Sequence, residues 1–194
     1  MSATGTVDGR LHDGADNGVD NPIAALSAAD HSQGETHAAL TLLQYGDYEC
    51  PACVRAEPLT RRIVETHGAH LRFVFRHFPL MALHRHAELA AEAAEAAAAQ
   101  GRFWAMHQRL FAPPHHLAMP ALTAHAEAIG LDMIRFGAEM ADRIYTQRVQ
   151  EHRRAGVNSG VRETPTFFLN GRVVDVSSGL PALEAAIQAA LKGR

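Results

Sequence analysis

The sequence predicts an α/β fold in which an all-helical block interrupts a strand-bearing frame. Three observations carry that expectation. Two strand-like apolar runs, ALTLLQYG from Ala39 and HLRFVFRHF from His70 to Phe78, flank a helical pattern. Roughly seventy residues of helical signal follow without a strand. TPTFFLNGRVVDVS then returns to β-rich character, with Asn170-Gly171 between its two runs, the strongest short hairpin signal a sequence offers. The predicted order is β-α-β, a helical block, then β-β-α.

Each element has its own justification. Residues 1 to about 25 are rich in Gly, Asp and Asn without periodicity, so a disordered tail is expected through residue 28. ALTLLQYG is an apolar run with a glycine stop, as in a buried strand. The helix after it carries Val54, Leu59 and Ile63 on one face, and Pro58 inside it predicts a kink. The second run alternates Leu71, Phe73 and Phe75 with other residues, so strand, helix and strand make a βαβ unit with a right-handed crossover.

In the block, LHRHAELAAEAAEAAAAQG is an Ala/Glu helix ended by Gly101, and RFWAMHQRLF a second helix stopping before Pro113-Pro114. AMPALTAHAEAIG and LDMIRFGAEM are two more, with Gly130 between them as a cap, and RIYTQRVQEHRRAG closes at Gly156. LPALEAAIQAALK is a terminal amphipathic helix. The chain thus divides into a tail (1–28), a first frame segment (29–79), a helical insertion (80–157) and a second frame segment (158–194).

Composition narrows the function. A net charge of -3 gives no basic field for nucleic acid or anionic lipid. Glu88, Glu92 and Glu95 interrupt the longest apolar-looking stretch, which therefore predicts no membrane span and reads as a helix with a wet acidic face. The N-terminus has acidic and glycine residues where a signal peptide needs a basic start and an apolar block, so a cytoplasmic protein is expected if Met1 is the natural start.

The chemistry sits in GDYECPACVRAEP. Its two cysteines, Cys50 and Cys53, are the only ones in the chain. A structural zinc needs four ligands, so two would have to come from the 13 histidines, such as His84 with His86 or His115 with His116. Those pairs read as surface and loop residues, and no metal or other cofactor is expected. In a reducing compartment a structural disulfide is disfavoured. A redox pair needs its first cysteine at a helix N-terminus directly after a strand, where unpaired N–H groups and the helix dipole stabilise a thiolate. Cys50 has that placement, with Pro51 in the first turn, where its missing N–H costs little. Cys53, just short of a turn on, could attack a mixed disulfide formed at Cys50. Cys50 is therefore expected to be exposed and Cys53 shielded. The competing reading is two buried, unreactive thiols. ETPTFFLNG adds Pro165 at the start of a strand. A cis Thr164-Pro165 bond there would turn the backbone of Thr164 toward Cys50, where an extended substrate could add as a strand.

Taken in order, YGDYECPAC, Pro58, FRHFPL, AELAAEAAEAAAAQGRFWAMHQRLF and TPTFFLNG resemble the DsbA family of thiol-disulfide oxidoreductases, from about Asp30 to Leu191. The resemblance implies a thioredoxin-like fold with an inserted helical subdomain. It also implies Cys50 as attacking thiol, Cys53 as resolving thiol and Pro165 as cis-proline, with Thr164, Pro51 and Ala52 against the substrate. The implied partners are disulfide-containing proteins or small thiols and a further redox protein, with neither nucleic acid nor membrane. Two departures stand out. The family's oxidase places His between its cysteines, where this chain has Pro51-Ala52; a couple nearer thioredoxin (about -270 mV) than the oxidase (about -120 mV) is expected. Members also carry a buried carboxylate six residues before the first cysteine, where this chain has Gln44, so Gln44, Asp47 and Glu49 are the candidates around proton transfer from Cys53. A glutathione-dependent transferase or isomerase of the kappa-like branch, and a thioredoxin-like binding module, stay open as alternatives. Phe103, Trp104 and Phe111 read as packing, and His77 and His84 as satisfied or solvated residues near the site.

Overall fold

Side-chain alternation along the central strands decides which residues meet on each face of the sheet. Leu40 and Leu42, Leu71, Phe73 and Phe75, and Phe167 share one apolar cluster; Leu43, Tyr45, Val74 and Phe168 share the other. Both faces are covered, which is why these strands read as apolar runs rather than half-polar alternation. The computed structural model describes residues 26–193; the tail expected over residues 1–25 lies outside them. The strands are β1 (His31–Gly34), β2 (Leu40–Gly46), β3 (Leu71–His77), β4 (Thr166–Leu169) and β5 (Arg172–Val174). Their order is β1-β3-β2-β4-β5. β2 and β3 are parallel, and every other pair is antiparallel.

The helices are α1 (Pro51–His67), α2 (Ala87–Ala98), α3 (Phe103–Phe111), α4 (Met119–Ala128), α5 (Met133–Ala141), α6 (Thr146–Asn158) and α7 (Pro181–Lys192). This is a thioredoxin-like fold, with α2 to α6 inserted between β3 and β4. α1 and α7 lay Ala56, Ile63, Leu183 and Ile187 on the first face, in one cluster with the insertion's Met106, Leu110 and Phe136. Phe103 and Phe111 are buried there as expected, and the Trp104 indole N–H donates to the Ser32 carbonyl at 3.3 Å. The hairpin turn has positive φ at both Asn170 (47°) and Gly171 (89°), as a type I′ turn requires.

Several expectations need correction. β1 was not anticipated, because HSQG has no apolar alternation; tertiary contacts make it a strand. Arg76 holds Asp30 through two bonds (2.7 and 2.8 Å) just before β1, and His31 bonds Glu95 on α2 at 2.8 Å. Gly34 ends β1 at φ 84°, where a Cβ would stand 2.1 Å from the Leu71 carbonyl oxygen. Order also begins before residue 28: Leu26 packs on the second cluster, and the Asp30 carboxylate accepts from Ser27 N–H.

The acidic face of α2 is not wet throughout. Glu92 and Glu95 are buried, Glu92 taking two bonds from Arg143 Nε (2.8 and 3.0 Å). Gly156 does not close α6, which runs on to Asn158. A Cβ at Gly156 would lie 2.6 Å from the Phe78 ring and 3.0 Å from Tyr45, so the glycine is a close-approach site on the sheet's second face. α1 itself runs unbroken through Pro58, and α2 begins only at Ala87, leaving His84 and His86 in the preceding turns.

Candidate active site

Parallel pairing sets the site. β2 and β3 run side by side with Gly46 opposite His77, so whatever follows each strand meets at the same end of the sheet. After β2 comes the Asp47–Cys53 segment; after β3 comes Phe78 to His86. The two are bonded to each other at once, Phe78 N–H donating to the Gly46 carbonyl at 2.8 Å.

Cys50 is the N-cap residue of α1, with extended backbone (φ -73°, ψ 120°), and Pro51 follows it in the first turn. The Cys50 thiol donates to the Thr164 carbonyl oxygen at 3.2 Å. The Thr164–Pro165 bond is cis. Cys50 is only 6% exposed, contrary to the expectation of an open thiol, because Thr164 lies over its sulfur; Cys53, at 0%, is the more shielded of the two. Both cysteines are free thiols. Pro51 is exposed and Ala52 half-buried beside them, and Thr164 is buried.

The electrostatics separate the two sulfurs. The Cys50 thiol is lowered to about 5 by a hydrogen bond from Cys53, against the opposing effect of burial. The Thr164 side chain and the N–H groups of Cys53 and Ala52 add to the lowering. Thr164 Oγ1, buried without a hydrogen-bond partner, is the side-chain group behind that contribution. Cys53 is pushed well up, first by burial and then by its hydrogen bond to Cys50. At neutral pH the pair is therefore one thiolate and one thiol, the state an attacking and a resolving sulfur need.

The three proton-transfer candidates take different positions. Asp47 N–H donates to Cys53 Sγ at 3.5 Å, but the Asp47 carboxylate is committed elsewhere. It accepts from Glu49 N–H (2.8 Å), Leu80 N–H (2.8 Å) and His84 Nδ1 (2.7 Å). Glu49 is likewise held by His86, through its N–H (2.6 Å) and Nδ1 (3.0 Å). Gln44 is buried on the α1 side of β2 and lines a cavity of about 20 Å³, room for one water. Glu57, four residues after Cys53 on α1, is the one carboxylate lining that cavity, and burial raises its pKa.

Sequence reasoning passed over Glu57 and His107, put His77 and His84 near the site only as satisfied or solvated residues, and read His86 and His115 as surface or loop residues. Each residue of the loop Asp47-Tyr48-Glu49 is gripped by a histidine: His84 on Asp47, His86 on Glu49, His107 Nδ1 beside the Tyr48 hydroxyl at 3.0 Å, and His115 Nε2 on the Tyr48 carbonyl at 2.7 Å. His84, His86 and His115 are only partly exposed, not free surface residues. The signal was present in FRHFPLMALHRH, a histidine-rich run leaving the strand parallel to the one that ends at the cysteines.

A second polar cluster lies under the insertion. Both His31 Nε2 (2.8 Å) and His77 Nε2 (2.9 Å) meet Glu95 Oε1, and among the described residues this is the one group whose donors converge as metal ligands would. Its geometry suits hydrogen bonding better. A metal-bound His77 would carry its proton on Nδ1, and that atom is buried without an acceptor. Two N–H groups shared by one carboxylate oxygen need no ion.

Comparison with known proteins agrees with the fold. The family model described as thioredoxin matches residues 27–189. A thioredoxin-like oxidoreductase from Silicibacter pomeroyi is similar in structure, with a TM-score of 0.75 at 23% identity, over 92% of this chain and 99% of that one. BdbD from Bacillus subtilis has a TM-score of 0.74 at 19% identity, over 83% of this chain and 92% of that one. In sequence, the Na(+)/H(+) antiporter NhaA 1 of Salinispora arenicola is 43% identical over 164 residues, 84% of this chain. The chain spans only 25% of that protein's length.

Proposed function

Because the chain belongs to the thioredoxin family, on its DsbA-like side, we propose that it is a thiol-disulfide oxidoreductase acting on protein disulfides through Cys50 and Cys53. The observation that carries this reading is the opposite displacement of the two thiols, Cys50 down to about 5 and Cys53 well up. The Cys50 thiolate attacks a substrate disulfide; the new S–S bond forms as the old one breaks, and the pair of electrons leaves on the substrate's other sulfur. Cys53 then gives up its proton and attacks Cys50, which closes the protein's own disulfide and frees the substrate as a thiol. On this reading Glu57, one turn along α1 from Cys53, takes that proton, and Gln44, which shares with it a space for one water, can only hydrogen-bond. Run backwards, the same steps deliver a disulfide.

Protein rather than small-thiol substrates are favoured by the loop that Asp47 anchors. Between Leu80 and His84, which Asp47 anchors, Met81 and Leu83 stand 42% and 76% exposed, apolar surface on the loop tied to the segment that carries the cysteines. Thr164, with its carbonyl at the Cys50 sulfur, is the natural contact for the substrate backbone. The glutathione-dependent alternative has no use for a resolving Cys53, and a mere binding module none for a thiolate.

The couple is expected between thioredoxin and the oxidase. Reference thiolates run from about 7 in thioredoxin to about 3.5 in DsbA, and Cys50 falls between them. A stabilised thiolate favours the reduced protein and makes the disulfide more oxidising. This moves the expectation away from a thioredoxin-like value, and a cytoplasmic setting stays part of the proposal. The antiport named for the longer relatives belongs, on this reading, to the part of them that this chain does not match. None of the described helices is long and apolar enough to cross a membrane.

The test is insulin reduction together with equilibration in glutathione buffers. Wild type should reduce insulin; Cys50→Ser should abolish it; Cys53→Ala should accumulate a mixed disulfide at Cys50. No reductase activity in wild type, or Cys53 alkylating faster than Cys50, would overturn the assignment.

A further inference from the structure

The cysteine pair lacks an intervening histidine, yet an imidazole reaches the site from elsewhere. His84 sits in the turn after β3, where its backbone N–H donates to the Leu80 carbonyl at 2.9 Å. Its Nδ1 is 2.7 Å from Asp47 Oδ2. The Asp47 side chain is fully buried and is fixed by two backbone donors as well, so the carboxylate is a rigid anchor. Asp47 is also tied to both cysteines through its backbone. Its carbonyl accepts from Cys50 N–H at 3.2 Å, and its own N–H donates to Cys53 Sγ. The side chain of His84 is 16% exposed, and its Nε2 makes no hydrogen bond to any of the described residues.

We propose that His84, locked by Asp47, serves as the cationic partner of the Cys50 thiolate in the reduced protein and loses that role on oxidation. This rests on the oxidoreductase reading above and deepens it.

The groups facing His84 all favour its charge. Burial lowers its pKa, but Asp47, by hydrogen bond and by charge, and then Cys50 and Glu49 by charge, raise it overall. Arg85 and His86 flank it in sequence, and His86 is engaged by Glu49. With Nδ1–H given to Asp47, the Nε2–H of the imidazolium is the free donor. During the exchange the negative charge passes from Cys50 to the substrate's departing sulfur, as one S–S bond forms and the other breaks. His84 then loses an anionic neighbour, its acidity rises, and its proton becomes available to the departing thiolate.

Linkage makes this testable in both directions, because each group must shift the other by the same factor. In wild type, histidine NMR should give a higher titration midpoint for His84 in the reduced than in the oxidised protein, with His84→Gln identifying the resonance. In His84→Gln, which keeps a hydrogen bond to Asp47 without the charge, the midpoint of Cys50 alkylation should rise and its rate at pH 5.5 fall about three- to tenfold. His84→Lys should recover part of that loss. Equal His84 midpoints in the two redox forms, or an unchanged alkylation profile in His84→Gln, would overturn the proposal while insulin reduction stays intact. If instead wild-type Cys50 titrates like an ordinary thiol and insulin is not reduced, it is the oxidoreductase reading that fails. Where His84→Gln does not fold, through-bond assignment of the His84 ring in the wild-type protein keeps the NMR comparison available.

Discussion

Cys50 is the residue whose surroundings matter most, and its ionisation links chemistry to stability. Its folded-state pKa of about 5 is below the value of about 8.5 in an unfolded chain. The thiolate therefore stabilises the reduced protein increasingly as pH rises from 5 toward 8, and that contribution disappears as pH falls through 5. By pH 7 it is on the order of 2–3 kcal/mol. The melting temperature of the oxidised form minus that of the reduced form should accordingly shrink between pH 5 and pH 8. A constant difference would mean Cys50 is an ordinary thiol. The window ends near 8 because Cys53, pushed up in the fold, then ionises preferentially in the unfolded chain. Gln44 and Glu57 make the second residue-scale prediction. Gln44→Glu would place two carboxylates around one small cavity, and like charges there cannot both ionise cheaply. The variant should melt lower than wild type at pH 7 and lose less at pH 5, while releasing mixed disulfides faster. Glu57→Gln should restore stability to Gln44→Glu by more than it changes the wild type. Additive effects would separate the two residues.

At the level of elements, two glycines of the insertion test how its helices meet the sheet. Gly137 lies in α5 with nothing within 4 Å of where a Cβ would stand, so Gly137→Ala should gain helix propensity alone, about 0.5–1 kcal/mol. Gly156 lies in α6 against Phe78 and Tyr45. There the same substitution forces an aromatic ring to move in a packed core, which costs about 1–3 kcal/mol. Gly156→Ala should thus lower the melting temperature while Gly137→Ala raises it, as thermal unfolding of the two variants would measure. A rise in both would show that α6 does not approach the sheet closely. α6 and the Asp47-anchored turn before α2 are two of the places where the insertion is fastened around the frame.

Across the whole molecule, neutral buried histidines join the insertion to the sheet. His77 ends β3, His107 is on α3 and His152 on α6, and their rings contact one another or a shared neighbour. Burial, and then the repulsion His77 would exert once it too is protonated, depresses His107 to about 3 and His152 to about 2; burial lowers His77 as well. The unfolded chain takes up these protons near pH 6.5, while the native state refuses them until far lower. Stability is therefore undiminished above 6.5 and falls as pH drops toward 3. Each such histidine costs about 1.4 kcal/mol per pH unit near pH 5. Glu95, held ionised by His31 and His77 against its burial, acts in the same direction lower in the range. Urea unfolding between pH 7 and pH 4.5 should show an uptake of two or more protons; an uptake below one would mean these imidazoles are hydrated or charged in the fold.

The sequence by itself determined the frame and the reagents. Local signals suffice for those: apolar runs make β2, β3 and β4, Asn170-Gly171 makes the hairpin, Ala/Glu periodicity makes α2, and a proline after Cys50 starts α1. The redox pair was legible for the same reason, since helix-start chemistry is written in adjacent residues. Tertiary structure alone decided which polar residues serve the site. Parallel pairing of β2 with β3 brings His84 to Asp47 across 37 positions, and the fold of the insertion brings His107 and His115 to Tyr48. It also makes a strand of His31–Gly34, whose residues have no strand pattern, and buries Glu92 and Glu95 on a helix that reads as solvated. Charged and imidazole side chains carry no periodic mark of burial. Their partners are distant in sequence, and a buried polar group is stable only once those partners arrive.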